Sequence, residues 1–329
     1  MNGFDDPAVG SAAAKVILHG FNYSPPEAPF PGWIRYGAFF SERNTWWPYF
    51  KRWSDYKARI SHVLQHATPR ANVAVLQPLT DLWLKHGPQR DPFPARWYPE
   101  YQNNLWEAIH QNGGGCDYVS ENIIKRASFE NGHLNYGNRS YEVLLLPEIE
   151  TLDPQTARSL SDFADSGGQI VFIGKQPFKS AVYAETGVND SAVKQQIDAL
   201  LDRSPGNVHL YPAPGKDPIQ WYGKLQDDLG LKPYVSFEES HAYLSQSSHE
   251  LGGMPVFFMA NSSLTLDIPV KAEFHVDNAL TPWVWNPESG ERLRYPTTGA
   301  NNRIDLVLPR ATSLLIVFEY TSEGELLSL

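Results

Sequence analysis

Between residues 72 and 211, short and almost wholly apolar runs alternate with stretches of helical period, and few folds accommodate that alternation. The runs are Asn72-Val73-Ala74-Val75-Leu76, Asp117-Tyr118-Val119, Val143-Leu144-Leu145-Leu146-Pro147, Gln169-Ile170-Val171-Phe172-Ile173 and residues 207–211. Runs this short and this apolar are strands covered on both faces, as the strands of a parallel sheet are. Helical stretches at residues 101–111, 121–126, 154–166, 191–201 and 218–229 lie between and beside them, and Gly167-Gly168 supplies a C-cap for the third. Strand–helix alternation predicts a doubly wound parallel sheet over residues 71–232.

The flanks read differently. Ala14-Lys15-Val16-Ile17-Leu18-His19-Gly20 is an apolar run stopped by glycine, which fits one more buried parallel strand. A loop over residues 21–41 follows, kept irregular by Pro25, Pro26, Pro29 and Pro31. From residue 44 to residue 66, Trp47, Phe50, Trp53, Tyr56, Ile60, Val63 and Leu64 recur at spacings of three and four, the apolar stripe of a helix with Asn44 as N-cap and Pro48 in its first turn. After residue 232, short alternating strands at about 8–12-residue spacing predict an antiparallel sandwich over residues 233–329.

The formal net charge of −10, with no run of Lys or Arg, argues against a nucleic-acid partner. Asp5 and Asp6 stand where a secretory signal needs basic residues, so the chain as written is expected in the cytoplasm, while related full-length enzymes could still be exported. No segment approaches the roughly 20 apolar residues of a membrane span. Cys116 is the single cysteine, which excludes an internal disulfide and a multi-cysteine metal site; it reads as a small buried residue. Gly-x-Ser-x-Gly is absent, and His249-Glu250 lacks the second histidine of the zinc-protease motif. With neither a phosphate loop nor a dinucleotide glycine fingerprint, no nucleotide, haem or zinc cofactor is expected.

Three stretches together carry a family resemblance. The first joins His19-Gly20-Phe21-Asn22-Tyr23-Ser24-Pro25 and Pro31-Gly32-Trp33 to Asn44-Thr45-Trp46-Trp47-Pro48 and the helix with Tyr56 and Arg59. The second is residues 141–147 with the helix and Gly167-Gly168 that follow. The third is Pro255-Val256-Phe257-Phe258-Met259-Ala260-Asn261-Ser262 with Trp283-Val284-Trp285-Asn286-Pro287-Glu288-Ser289-Gly290-Glu291 and the run ending at Phe318. Together they resemble glycoside hydrolase family 106, the large α-L-rhamnosidases, and more loosely the family 42 galactosidases.

The resemblance implies an α/β chain in three parts. Residues 1–70 would be the last strand, loop and helix of a (β/α)8 barrel, residues 71–232 a flavodoxin-like, glutamine-amidotransferase-like domain, and residues 233–329 a terminal β-sandwich. Glycoside hydrolysis needs two carboxylates flanking the scissile bond, and barrels carry them on several strands, so the family's pair is expected upstream of residue 1. Within the remnant, Glu42 and His19 are the catalytic candidates, and Glu27 is the loop's other carboxylate. Asn22, Tyr23, Trp33, Tyr36 and Trp46 are the substrate-binding candidates, with Trp33 or Trp46 stacking on a sugar face. The family also implies Ca²⁺, with no ligand set legible.

Three functions stay open at this point: cleavage of rhamnoside-like small-molecule or oligosaccharide substrates, Ca²⁺-assisted hydrolysis of a lactone or ester such as an acyl-homoserine lactone, and a non-catalytic sugar-binding or interaction role. An incomplete barrel would expose apolar surface, so a homo-oligomer is a further expectation.

Overall fold

A computed structural model of the chain describes residues 15, 17, 21, 23–33, 40–87, 98–182, 186–203, 206–297, 300 and 302–327. The strand expected over residues 14–20 lies outside these, apart from Lys15 and Ile17. The chain is mixed α/β and divides into two compact units, one of residues 1–69 with 234–329, the other of residues 70–233. Residues 1–69 and the terminal β region cluster together as the first of these units. The reason is the apolar stripe near residue 50, which finds its partner surface there.

That stripe lies on helix α1 (Phe50–His66). The helix begins later than the N-cap at Asn44 suggested, because Pro48 sits in a 3-10 turn over Trp47–Tyr49 and the α-helical ladder starts behind it. Asn44 serves the preceding turn, its Oδ1 accepting the Trp46 N–H at 3.3 Å. After α1 the short strand β1 (Thr68–Pro69) leads into the second unit.

The second unit is built in chain order from β2 (Val73–Leu76), α2 (Leu79–His86), α3 (Gln102–Gln111), β3 (Cys116–Val119) and α4 (Glu121–Arg126). A small antiparallel meander follows, β4 (Ser128–Glu130), β5 (His133–Tyr136) and β6 (Arg139–Tyr141), and then β7 (Val143–Pro147), α5 (Pro154–Asp165), β8 (Gln169–Ile173), α6 (Thr186–Arg203), β9 (Val208–Tyr211) and α7 (Pro218–Asp228). β3-β2-β7-β8-β9 form one wholly parallel sheet, which in order of chain entry is 2-1-3-4-5. Alternation explains why its three central strands, β2, β7 and β8, are almost wholly apolar. Ala74, Leu144, Leu146, Ile170 and Phe172 face α4, α5 and α6, while Val73, Val75, Val143, Leu145 and Val171 face α3 and α7.

The first unit resumes with β10 (Val235–Phe237), β11 (Leu244–Leu251), β12 (Met254–Asn261), β13 (Ile268–Phe274), β14 (Thr281–Trp285), β15 (Arg292–Arg294), β16 (Arg303–Leu308) and β17 (Thr312–Glu319). They form two antiparallel sheets, β1-β11-β12-β17-β14-β15 and β10-β13-β16. Phe257 and Met259 of β12 and Ile316 and Phe318 of β17 meet Val270, Phe274 and Ile304 of the smaller sheet in one core. The alternate residues Val256, Phe258, Ala260, Leu315 and Val317 point the other way and are covered by Tyr56, Ile60, Val63 and Leu64 of α1. Both faces of β12 and β17 are therefore dry. Each buried side chain of the α1 stripe contributes roughly 1.5–3 kcal/mol by area removed from water. Polar contacts hold the helix in register: the Tyr56 hydroxyl meets Ser313 Oγ at 2.5 Å, and Arg59 Nη1 donates to the Pro287 and Glu288 carbonyls, both at 2.8 Å.

Candidate functional site

The described residues before α1, 23–33 and 40–49, have an organised backbone. Their first half makes two turns, Ala28 N–H to Pro25 O at 3.0 Å and Gly32 N–H to Pro29 O at 2.8 Å. The Trp33 N–H donates to Ser24 Oγ at 2.9 Å. Gly32 has a φ of +115°, and a side chain there would collide with Ser24, so glycine is required on both counts. The Arg43 guanidinium joins this half to the turn leading into α1, donating to Pro25 O at 3.3 Å and Ala28 O at 2.5 Å. Ala28 is buried beneath the bridge.

The sequence candidates fall into three groups on this frame. Tyr23 and Trp33 are 77% and 64% exposed, so their rings are available to a ligand. Glu42 is exposed next to Arg43, and Glu27 is exposed on the first turn. Trp46 is half-buried, edge-on to Phe40 at 5.6 Å and stacked with Phe50 at 6.1 Å, so most of its ring area goes into the packing that starts α1. His19, Asn22 and Tyr36 lie outside the described residues. Arg43, which organises the loop, has no counterpart among the candidates; its only sequence signal is an isolated cation beside a proline-rich stretch.

The second unit carries a polar cluster at the carboxyl ends of β7 and β8. Glu148 follows β7 with a φ of +56°, a conformation that costs a non-glycine residue strain. Its carbonyl accepts the Tyr98 hydroxyl at 3.0 Å. Lys175, one residue past Gly174, contacts Glu148 at 3.5 Å, donates to Glu150 and reaches the Tyr98 hydroxyl at 3.4 Å. Lys179 holds the other oxygen of Glu150 at 3.2 Å. Buried Asp81 fixes the same turn from α2, accepting the Glu150 and Thr151 N–H groups at 2.9 and 3.2 Å and the Thr151 hydroxyl at 2.5 Å.

The electrostatics follow from these contacts. The hydrogen bond from Lys175 holds the Glu150 carboxyl below its ordinary range, and the same bond holds the Lys175 ammonium above its own. Burial, reinforced by the Glu148 charge, raises the Tyr101 phenol. Glu148 and Glu150 are each committed to an ammonium partner and Asp81 to backbone and hydroxyl donors, which suits a structural brace better than an acid awaiting a substrate. Cys116 opens β3 fully buried, and burial raises its thiol well above the ordinary value, so it is no nucleophile.

Calcium prefers a cage of oxygens from several carboxylates and carbonyls. Among the described residues no group of three or more His, Cys, Asp or Glu side chains is placed to hold a metal, and Glu148 and Glu150 are already neutralised by lysines. Those residues do not fit the ion. Among them, no helix is long and apolar enough to cross a membrane.

Comparison with known proteins gives consistent findings. Residues 3–296 match the family described as alpha-L-rhamnosidase, glycoside hydrolase family 106. A protein of Formosa agariphila named "Putative beta-glucuronidase" is 24% identical over 325 residues, which cover 97% of this chain and 25% of that protein. Among solved structures, the rhamnosidase from Novosphingobium sp. PP1Y superposes with a TM-score of 0.66 at 20% identity, covering 100% of this chain and 30% of that one. Gan42B, a GH42 beta-galactosidase from G. stearothermophilus, gives 0.51 at 12% identity over 84% of this chain and 44% of that one. The structural likenesses concern the fold. The chain spans about a quarter to under a half of the length of these relatives.

Proposed function

Because this chain belongs to the α-L-rhamnosidase family of glycoside hydrolases, we propose that it takes part in hydrolysing rhamnoside-like glycosidic bonds, with residues 21–47 forming one wall of the sugar site. In this reading residues 1–70 are the end of the catalytic barrel, and residues 71–232 are an amidotransferase-like domain that has kept its fold without a nucleophile. The observation that carries the reading is the loop itself. Arg43 ties the turn at residues 25–28 to the turn leading into α1, and Tyr23, Trp33 and Glu42 are exposed on the residues so joined. An indole or phenol supplies the flat apolar face on which the C–H side of a pyranose stacks.

Glu42 would serve as one member of the carboxylate pair, donating a proton to the leaving oxygen or activating water. The second carboxylate is assigned to no residue described here. His19, Asn22 and Tyr36 remain candidates for orienting the sugar hydroxyls, and Trp46 is a further substrate-binding candidate.

The test is cleavage of p-nitrophenyl α-L-rhamnoside within a panel of other p-nitrophenyl glycosides. Glu42→Gln is expected to lower kcat about 100-fold or more, the usual cost of losing a general acid or base. Trp33→Ala is expected to raise KM with little change in kcat. Full cleavage by Glu42→Gln would remove Glu42 from the pair, and silence of the parent chain across the panel would remove the reading.

A further inference from the structure

In a doubly wound sheet of order 2-1-3-4-5 the chain leaves the first strand toward one edge and later returns to the other side of it. The loops after those strands part, and a crevice opens outside their carboxyl ends. Here the parting loops follow β2 and β7, and a cavity of about 320 Å³ lies among them. Its walls come from the loop and helix after β2 (Gln77, Trp83), from α4 after β3 (Glu121, Asn122, Lys125) and from the N-cap of α5 (Asp153).

We propose that this cavity is a binding site for a single neutral pyranose, separate from the loop of residues 21–47. The volume lies at the small end of the range for ligand pockets, about 300–1,000 Å³, and suits one sugar ring. Trp83 lines it with an indole that is 65% exposed, an uncommon position for tryptophan in a folded unit and a ready stacking face. Gln77 and Asn122 add amides that can both donate to and accept from hydroxyl groups.

The charges favour a neutral ligand. Lys125 pairs with Asp153 at 3.3 Å, and Asp153 is further occupied in capping α5, its Oδ1 accepting the Gln155 N–H at 2.7 Å. Glu121 accepts the Asp153 N–H at 2.7 Å through Oε2. Two carboxylates and one ammonium leave no excess positive charge to draw an anion. Both carboxylates are already engaged, Asp153 by Lys125 and the α5 N-cap and Glu121 by the Asp153 N–H, which leaves neither free to hold a cation.

The class of ligand does not rest on the hydrolase reading; only the choice of L-rhamnose as the first probe does. The experiment is saturation-transfer-difference NMR on the full chain with methyl α-L-rhamnoside, methyl β-D-galactoside, D-glucuronate and D-glucosamine. Saturable binding of one or both neutral glycosides is expected, weakened about tenfold by Trp83→Ala. Asn122→Ala should weaken it as well, and Tyr320→Ala, an exposed change in the other unit, should leave it unchanged. Trp83 and Asn122 are both exposed, so neither variant threatens the fold.

Binding lost in Trp33→Ala and kept in Trp83→Ala would overturn this site while supporting the loop. Binding of only glucuronate or only glucosamine, or of no sugar, would overturn it outright. If cleavage of p-nitrophenyl α-L-rhamnoside fails while Trp83-dependent binding persists, the hydrolase reading falls and this one stands.

Discussion

Lys175 is the point at which the polar brace of the second unit can be weighed. Its ammonium is shared between Glu148 and Glu150, whose side chains are each 16% exposed, while Lys175 itself is 39% exposed. Lys175→Met keeps the aliphatic stem and removes the charge. An exposed pair is worth about 0–1 kcal/mol and breaking a buried one costs about 3–5 kcal/mol; discounted for the solvent screening of this lysine, the expected loss is about 2 kcal/mol. Lys179 still holds the other oxygen of Glu150 at 3.2 Å, which limits the loss.

The pH dependence has a definite sign. The folded Glu150 carboxyl titrates below its ordinary value, so its stabilising contribution is present above the unfolded pKa and is lost as pH falls through the folded one. Lys175 titrates above its ordinary value, so its contribution holds at neutral pH and is lost only in strong alkali. The gap between parent and variant is therefore widest near neutrality and narrows below about pH 5, where carboxyls protonate. Urea denaturation from pH 8 down to pH 4 reads this directly. A gap below about 0.5 kcal/mol at pH 7, or one of constant size down to pH 4, would refute the brace.

Two further outcomes follow from packing. A Cβ on Gly168 would run into the ring of fully buried Phe163, so Gly168→Ala should cost about 1–3 kcal/mol, and adding Phe163→Leu should recover part of it; thermal denaturation of the single and double variants checks this, and additive losses would refute it. The Cys116 thiol should stay silent toward a thiol-specific colorimetric reagent until the protein is unfolded in urea, because it is buried and its thiolate is disfavoured. Stoichiometric reaction in native buffer would contradict that placement.

The parallel sheet was legible because every one of its central strands is covered on both sides, which erases polar alternation and leaves plain apolar runs such as Val143-Leu144-Leu145-Leu146. β12 and β17 were legible for the same reason, although their sheet is antiparallel: α1 covers the face that such a sheet commonly leaves to water. β11 was missed because Gln246, Ser247, Ser248 and His249 are buried polar residues, which read as a loop. The meander β4–β6 was missed despite a usable signal. Asn131-Gly132 has φ values of +52° and +77°, as a two-residue type I′ hairpin turn requires, and that dipeptide is visible in the sequence.

The candidate site was legible only as far as periodicity and exposure agree. Trp53, Tyr56, Ile60, Val63 and Leu64 recur at helical spacing and are buried on α1, and Trp46, Trp47 and Phe50 pack around its start, so those rings are spent on structure. Tyr23 and Trp33 belong to no repeat and are exposed, so they are the rings left to meet a ligand. The crevice in the second unit was illegible for a different reason. Gln77, Trp83, Glu121, Asn122, Lys125 and Asp153 are spread over some seventy-seven positions and are gathered only because strand order separates the loops after β2 and β7. Residue type can mark a ring that packing does not need, but a cavity made by topology has no local pattern to read.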